Sequence, residues 1–434
     1  MIYQKFIFED YRFDEESHLL ELKYSLDDQH HFIETYRFDF DFVDYDKELL
    51  DRAISNLFLI AGVSYFKIYP FAEIVIKKGL VDEQTSQFLS KTYKKGLGEF
   101  FYVNSIDPST VNIQFPITCS FIPSIENTVV GNTKLIGIGG GKDSLVTTEL
   151  LRQSEYSLAV FSVNHKPKLQ PLIDRIGLPF FYVERNWDKQ LIEINQNGGL
   201  NGHIPISAIL AATGSLIAVL SGNSDVLVSN ENSANEPTLN YKGVDINHQY
   251  SKSLEFEIDW QNQLRITLGN NVNYYSALRP FSEIAIAEIF SKIGYEKYKD
   301  VFSSCNHAFT HYSDKLFWDG KCSKCAFVFL ALTPFIEQSK LENLFEGKNL
   351  LLDKSLNDTY RQLLGIEGYK PLECVGEIKE SRTAMKMSSN IYPLLSELYD
   401  FELPQNYNYK LLHNHSMPQN IHETILKQSN KYLF

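Results

Sequence analysis

A chain of 434 residues with 44% hydrophobic residues is long enough for two or three domains, each around a substantial core. A net charge of −13 argues against a broad electrostatic footprint for nucleic acid. The N-terminal MIYQKFIFED lacks a signal-peptide apolar region, and no apolar run reads as a membrane span. Five cysteines, an odd number that includes a Cys-x-x-Cys pair, suit a reducing compartment and a metal site better than a disulfide framework. These features predict a soluble cytoplasmic α/β protein without a membrane or nucleic-acid partner.

Residues 1 to about 45 alternate aromatic and polar side chains, as in Tyr3, Lys5 and Ile7 and again in Leu20, Leu22 and Tyr24, which predicts an antiparallel meander. Tyr-Arg-Phe-Asp occurs at Tyr11–Asp14 and at Tyr36–Asp39, too short for a repeat and better read as a shared strand-end pattern. Helical spacing over Asp46–Ile60, with Asp46 as N-cap, is followed by Gly62–Lys67, read as a strand that presents Tyr65 and Lys67 either to a ligand or to solvent. A further helix is expected over Asp82–Lys95, and turn residues near 107–132 place a boundary there. From residue 134, strands at 134–138, 157–163, 179–183 and 225–229 alternate with helices at 143–153, 168–176 and 205–221. That order predicts a parallel, doubly wound sheet. The domain reading is therefore a β-rich unit over 1–130, the α/β unit over 131–300, and a cysteine-containing, mainly helical region over 301–434.

Between the first parallel strand and its helix lies Gly139-Gly140-Gly141-Lys142-Asp143-Ser144. Glycines let the backbone approach a ligand closely, and the helix that follows turns its unpaired N–H groups toward the loop, so a phosphate is the natural occupant. A Walker loop would need glycine at Ile136 and Ser or Thr at Asp143, and a dinucleotide fingerprint would need small residues at Lys142 or Ser144. What remains resembles the SGGxDS loop of the PP-loop ATP pyrophosphatase superfamily, with Gly139 in place of the usual Ser. The resemblance implies a HUP-type core that cuts ATP between its α- and β-phosphates and adenylates a substrate.

Ligands of such sheets sit beyond the carboxyl ends of the strands. This singles out Asn164 and His165 after the second parallel strand, and Ser229, Asn230 and Glu231 after 225–229. The latter group reads either as a triphosphate and Mg²⁺ contact or as a solvated loop. His203, before a long apolar helix, is a candidate for phosphate contact or proton transfer beside the alternative of a structural histidine. Arg279 in Arg279-Pro280-Phe281-Ser282-Glu283 is suited to a fork contact with phosphate or carboxylate, a surface Arg being the alternative. Cys305, Cys322 and Cys325 offer soft ligands with zinc-type spacing. The Asp319–Cys325 segment resembles the zinc knuckle of the cyano-deazaguanine synthase branch, with Asp319 where a cysteine is usual. That predicts a Zn²⁺ site of three Cys and one Asp, with His307, His311 and Cys374 as other donors, or else a site without metal.

Taken together, Gly-Val-Ser-Tyr-Phe-Lys, the glycine loop, Asn-Gly-His-Ile-Pro-Ile-Ser-Ala, Ser-Asn-Glu-Asn-Ser-Ala-Asn-Glu, the cysteine segment and Cys-Val-Gly-Glu resemble bacterial UDP-N-acetylmuramoyl-L-alanyl-L-glutamate epimerases of the MurL type. The resemblance spans most of the chain. It implies an ATP- and Mg²⁺-dependent inversion of the terminal L-Glu of a UDP-linked dipeptide. Gly139, Gly140, Gly141, Lys142 and Ser144 would hold phosphate, and Asp143 would position Mg²⁺. Lys67, His203, Glu231 and Cys305 are all chemically able to take the α-proton. A PP-loop ligase, an RNA-modifying enzyme and a non-catalytic ATP-binding regulator remain as alternatives.

Overall fold

The computed structural model describes residues 3–128, 131–309, 314–403, 407–412 and 414–434. The aromatic N-terminal pattern folds as three antiparallel strands, β1 (Lys5–Asp14), β2 (Leu19–Leu26) and β3 (His30–Asp39). Both Tyr-Arg-Phe-Asp copies close a strand, at the ends of β1 and β3. The inward rings pack on the helix Lys47–Ala61, whose first turn is capped by Asp46 accepting from Leu49 N. Tyr24 stacks between Phe58 and Tyr65, and its hydroxyl donates to Phe58 O at 2.9 Å. Gly62 makes this packing possible, since a Cβ there would lie 2.5 Å from the Phe8 ring. The expected strand at Gly62–Lys67 is instead a helical turn, Val63–Phe66, because its apolar side chains all face inward beneath the rings. Beyond it, β4 (Glu73–Ile76) pairs parallel with β1 at the sheet edge.

The alternating segment forms β5 (Lys134–Gly137), β6 (Leu158–Val163), β7 (Phe180–Asn186) and β8 (Asp225–Val228). A hairpin, β9 (Leu239–Tyr241) with β10 (Val244–Ile246), stands apart, and β11 (Asn273–Ser276) pairs parallel with β8. The nine-stranded sheet runs β11-β8-β5-β6-β7-β3-β2-β1-β4. It is mixed and mostly parallel, with β11 through β7 forming its parallel half. The boundary expected near residue 130 does not interrupt it, because β3 pairs antiparallel with β7 from Thr35↔Asn186 to Asp39↔Tyr182.

Successive strand residues feed opposite cores, as a period of two requires. Leu135, Phe161 and Val226 face the helices Lys47–Ala61, Ile206–Ser221 and Leu254–Leu268. Ile136, Val160 and Leu227 face Lys142–Arg152, Glu283–Ile293 and Ser323–Leu332. The helical segment Lys47–Phe66 is long and apolar enough to cross a membrane by length and composition, in contrast to the sequence expectation, but it is almost wholly buried as the core helix of the meander half. The C-terminal region is helical, including Gln338–Leu344, Asn357–Leu363, Ile378–Ser389 and Gln419–Leu433.

Candidate functional site

Strand order reverses at β5: the chain moves from β5 to β6 and β7 on one side, then returns to β8 on the other. The crevice beyond the carboxyl ends at such a switch point is where open α/β sheets bind ligands. The loops after β5 and β8 meet there. Gly140 has φ +96, and a Cβ on it would lie 3.0 Å from Phe309 and 3.1 Å from Ser303 O. Gly141 is the N-cap of Lys142–Arg152 and supplies no side-chain cap, so the first-turn N–H groups are left to an anion. Gly139 is different: a Cβ there meets nothing within 4 Å. The serine usual in related loops would fit, so its replacement by glycine is not a steric requirement.

Lys142 does not reach into the crevice. It is 2% exposed, and its Nζ donates to Asp143 Oδ1 at 2.5 Å and to Glu283 Oε2. Burial alone would lower its pKa; Asp143 and Glu283 override that and raise it. Asp143, Glu231 and Glu283 bring carboxylate oxygens within 4.8 Å of one another. Burial raises the Glu283 pKa, against the pull of Lys142 and with the push of Asp143. Burial acts the same way on Asp143, but Lys142 and Lys324 prevail and lower it. Three carboxylates this close, two buried and Asp143 partly open to solvent, form a donor set suited to a hard divalent cation, with Lys142 bonded to two of them. Glu283, which the sequence reading missed, is delivered by the helix Glu283–Ile293. The residues Arg279–Glu283 announced that helix, and Ser282 rather than the proline caps it.

Other expected residues support this cluster from behind. Arg279 is fully buried and spends its fork internally, donating to Glu257 Oε2, Glu231 O and Lys252 O, each at 2.7 Å. It is therefore no surface Arg, and its fork fixes the Glu231 backbone. Ser229 Oγ pairs with Thr147 Oγ1 at 2.7 Å, and Asn230 O accepts from Ser276. Ser144 Oγ turns back to Gly141 O at 3.3 Å. Asn164, with φ +64, accepts from Arg185 N and ties β6 to β7.

The thiol cluster packs directly against the glycine loop. Ser303 N donates to Gly140 O at 3.0 Å, and Ser304 Cβ would stand 3.2 Å from a Cβ on Gly141. Cys305, Asp319, Cys322 and Cys325 place ligand atoms within 4.8 Å of one another. Cys322 Sγ and Cys305 Sγ are 4.0 Å apart, far beyond a disulfide and near the separation of two sulfurs at about 2.3 Å from one tetrahedral zinc. His307 Nδ1 meets the second oxygen of Asp319, an outer partner that orients the carboxylate rather than a ligand. His311 lies outside the described residues. Cys374 is elsewhere: its Sγ accepts from Lys252 Nζ at 3.1 Å.

Around Cys374 is a second polar group. His248 Nδ1 meets Glu99 Oε2, and the His203 and His248 rings lie 4.5 Å apart. Burial, then the His248 charge, pull His203 down to about 4. Lys67 is buried, donating to Asn201 Oδ1 at 2.9 Å and Gly202 O at 3.3 Å, and burial lowers it to about 8. Lys252, His248 and Glu99 were invisible to motif reading, since nothing in their local sequence marks them.

A glycine loop at a topological switch point, over an acidic cluster and against a thiol cluster, marks the crevice of this α/β protein. Residues 1–277 match the MurL N-terminal domain and residues 301–392 the MurL C-terminal domain. The chain belongs to the MurL family. It is 38% identical to the UDP-N-acetyl-alpha-D-muramoyl-L-alanyl-L-glutamate epimerase of Xanthomonas oryzae pv. oryzae, over 77% of this chain and 74% of that protein. The epimerase of the same name from Salinispora tropica is 38% identical over 78% of this chain and 73% of its own length. That of Micromonospora sp. is 36% identical over 78% and 75%.

Proposed function

We propose that this protein is an ATP-dependent epimerase that inverts the terminal L-Glu of UDP-MurNAc-L-Ala-L-Glu to D-Glu, in the synthesis of a peptidoglycan precursor. The observation that carries the reading is the identity with three like-named epimerases across more than three quarters of the chain. The glycine loop at the sheet's switch point supports the ATP-dependent, PP-loop part of it.

The chemistry explains why an epimerase would need such a loop. Taking an α-proton beside a free carboxylate builds a dianion, at a prohibitive barrier. Adenylation removes that carboxylate's charge and acidifies the α-proton; deprotonation, reprotonation from the other face and hydrolysis then give D-Glu, AMP and pyrophosphate. In this reading the loop amides of Gly139–Ser144 receive phosphate oxygens as preorganised donors. Asp143, Glu231 and Glu283 would hold Mg²⁺, which neutralises phosphate charge when bound. Cys305, Asp319, Cys322 and Cys325 would hold a structural Zn²⁺ that braces the Ser303–Ser304 backbone against Gly140 and Gly141. Lys142 keeps the cluster's buried carboxylates compatible with one another rather than touching ATP.

Incubation with UDP-MurNAc-L-Ala-L-Glu, ATP and Mg²⁺ in deuterated water tests the proposal. AMP release together with deuterium at the Glu α-carbon is expected. The absence of both AMP release and α-deuterium would exclude it.

A further inference from the structure

We propose, resting on the epimerase reading, that the Cys374 side chain is the group that takes the α-proton of the activated glutamate. The four side chains first eligible for that step are otherwise engaged or too weakly basic. Cys305 is fully buried in the thiol cluster, and Glu231 belongs to the acidic cluster. Lys67 is tied to Asn201 and Gly202. His203 lies against His248, its ring tilted by 43°, and burial together with the His248 charge leaves it a weak base at about 4.

Cys374 has what they lack. It lies in the loop before the helix Ile378–Ser389, is half-buried rather than sealed, and its Sγ accepts from Lys252 Nζ at 3.1 Å. His248, itself held by Glu99, lies close enough for its charge to act on the same thiol. This is the activated-nucleophile arrangement of a thiol, a histidine and an orienting carboxylate, with a lysine added. Burial would raise the thiol pKa, but Lys252 and His248 bring it down to about 5. Burial likewise opposes protonation of His248, yet Cys374 and Glu99 lift it to about 9. A thiolate–imidazolium pair follows at neutral pH.

Its position completes the argument. The Lys252 charge acts on Cys374, Glu231 and Asp143 together. Lys324 donates to Cys374 O and lies 3.9 Å from Glu283 Oε1. Cys374 is thus one lysine away from the acidic cluster under the glycine loop, where an acyl adenylate would be made. In the step, the α C–H bond breaks and an S–H bond forms, while the electron pair moves into the acyl group as an enolate. A proton from water adds to the opposite face, and the hydroxide left behind takes the proton back from the thiol, restoring the thiolate. No oxidant or reductant takes part.

Wild type, Cys374→Ala and Cys374→Ser are compared with UDP-MurNAc-L-Ala-L-Glu, ATP and Mg²⁺ in deuterated water, following substrate-dependent ATP–pyrophosphate exchange and α-deuterium separately. Both variants should keep exchange within a few-fold and lose deuterium incorporation by at least about 10²-fold, the scale of a lost general base. Deuterium within tenfold of wild type, or a folded variant that loses exchange as well, overturns the assignment. A wild-type protein silent in both assays fails at the epimerase reading instead. Should neither variant fold, wild type is treated with substoichiometric iodoacetamide and the labelled cysteine mapped by mass spectrometry. Labelling first at Cys374, with exchange kept and deuterium lost, supports the proposal; labelling first at another cysteine, or at Cys374 without loss of deuterium, overturns it.

Discussion

Two buried charge clusters lie on this sheet, and they are built on opposite rules. At the seam between β3 and β7, Glu34 is fully buried and accepts from Arg185 Nε at 2.7 Å and Tyr36 OH at 2.6 Å; Arg185 Nη2 continues to Ser64 Oγ at 3.0 Å. One carboxylate meets one guanidinium, and the pair closes on itself. At the glycine loop, three carboxylates crowd into the same small volume as Lys142, with Lys252 and Lys324 beside them. A matched pair fastens two sheet halves together. Three carboxylates interleaved with three lysines gather more charge than a joint needs, and that is the signature of a site.

The comparison is broken most directly by a mirrored pair of variants. Arg185→Ala strands Glu34 without its countercharge and should cost about 3–5 kcal/mol of stability in urea unfolding. Asp143→Ala removes one member of a repelling set. Its stability should change by much less than that of Arg185→Ala, while AMP release falls by about 10²–10³-fold, the scale of losing a preorganised electrostatic group. If Asp143→Ala destabilised the fold as much as Arg185→Ala, the distinction between joint and site would collapse.

Cys322→Ser tests whether the thiol cluster braces the loop. Zinc affinity, followed by metal titration, should drop by more than the roughly 10–100-fold typical of losing an outer-shell partner, and ATP affinity by calorimetry should weaken as the Ser303–Gly140 contact loosens. Lys67 directly follows the turn that carries Ser64, the partner of Arg185. Its folded pKa of about 8 is below the ordinary 10.5, so the unfolded chain binds more protons between those values. Stability should therefore rise with pH across that window, by roughly 2 kcal/mol from pH 7 to 10 relative to Lys67→Met. The smallest effect belongs to Gly139→Ser. With open space around the added side chain, stability should stay within about 0.5 kcal/mol and nucleotide affinity should be kept.

Local patterns carried much of this structure. The alternating aromatics of residues 3–39 gave the meander, and Asp46 and Asp82 marked the helix starts they cap. The strand–glycine–helix order at 134–152 gave the loop, because its conformation depends on neighbours within a few residues. The turn at Val63–Phe66 defeated the same reasoning: four residues buried on every side, Ser64 among them, show no period to choose between strand and helix, and the rings packed above decided.

The sequence by itself determined which short stretches would be strand, loop and helix, and that a glycine loop opening a helix would follow the first parallel strand. Only the tertiary structure decided what surrounds that site. β3 finds β7 across about 150 residues, Glu283 closes on Lys142 from 141 residues away, and Cys374 meets Lys252 over a separation of 122. The physical reason is that periodicity records which face of an element is buried, not which distant element buries it. Partner choice between buried charges is settled by desolvation, which exists only once the chain has folded around them.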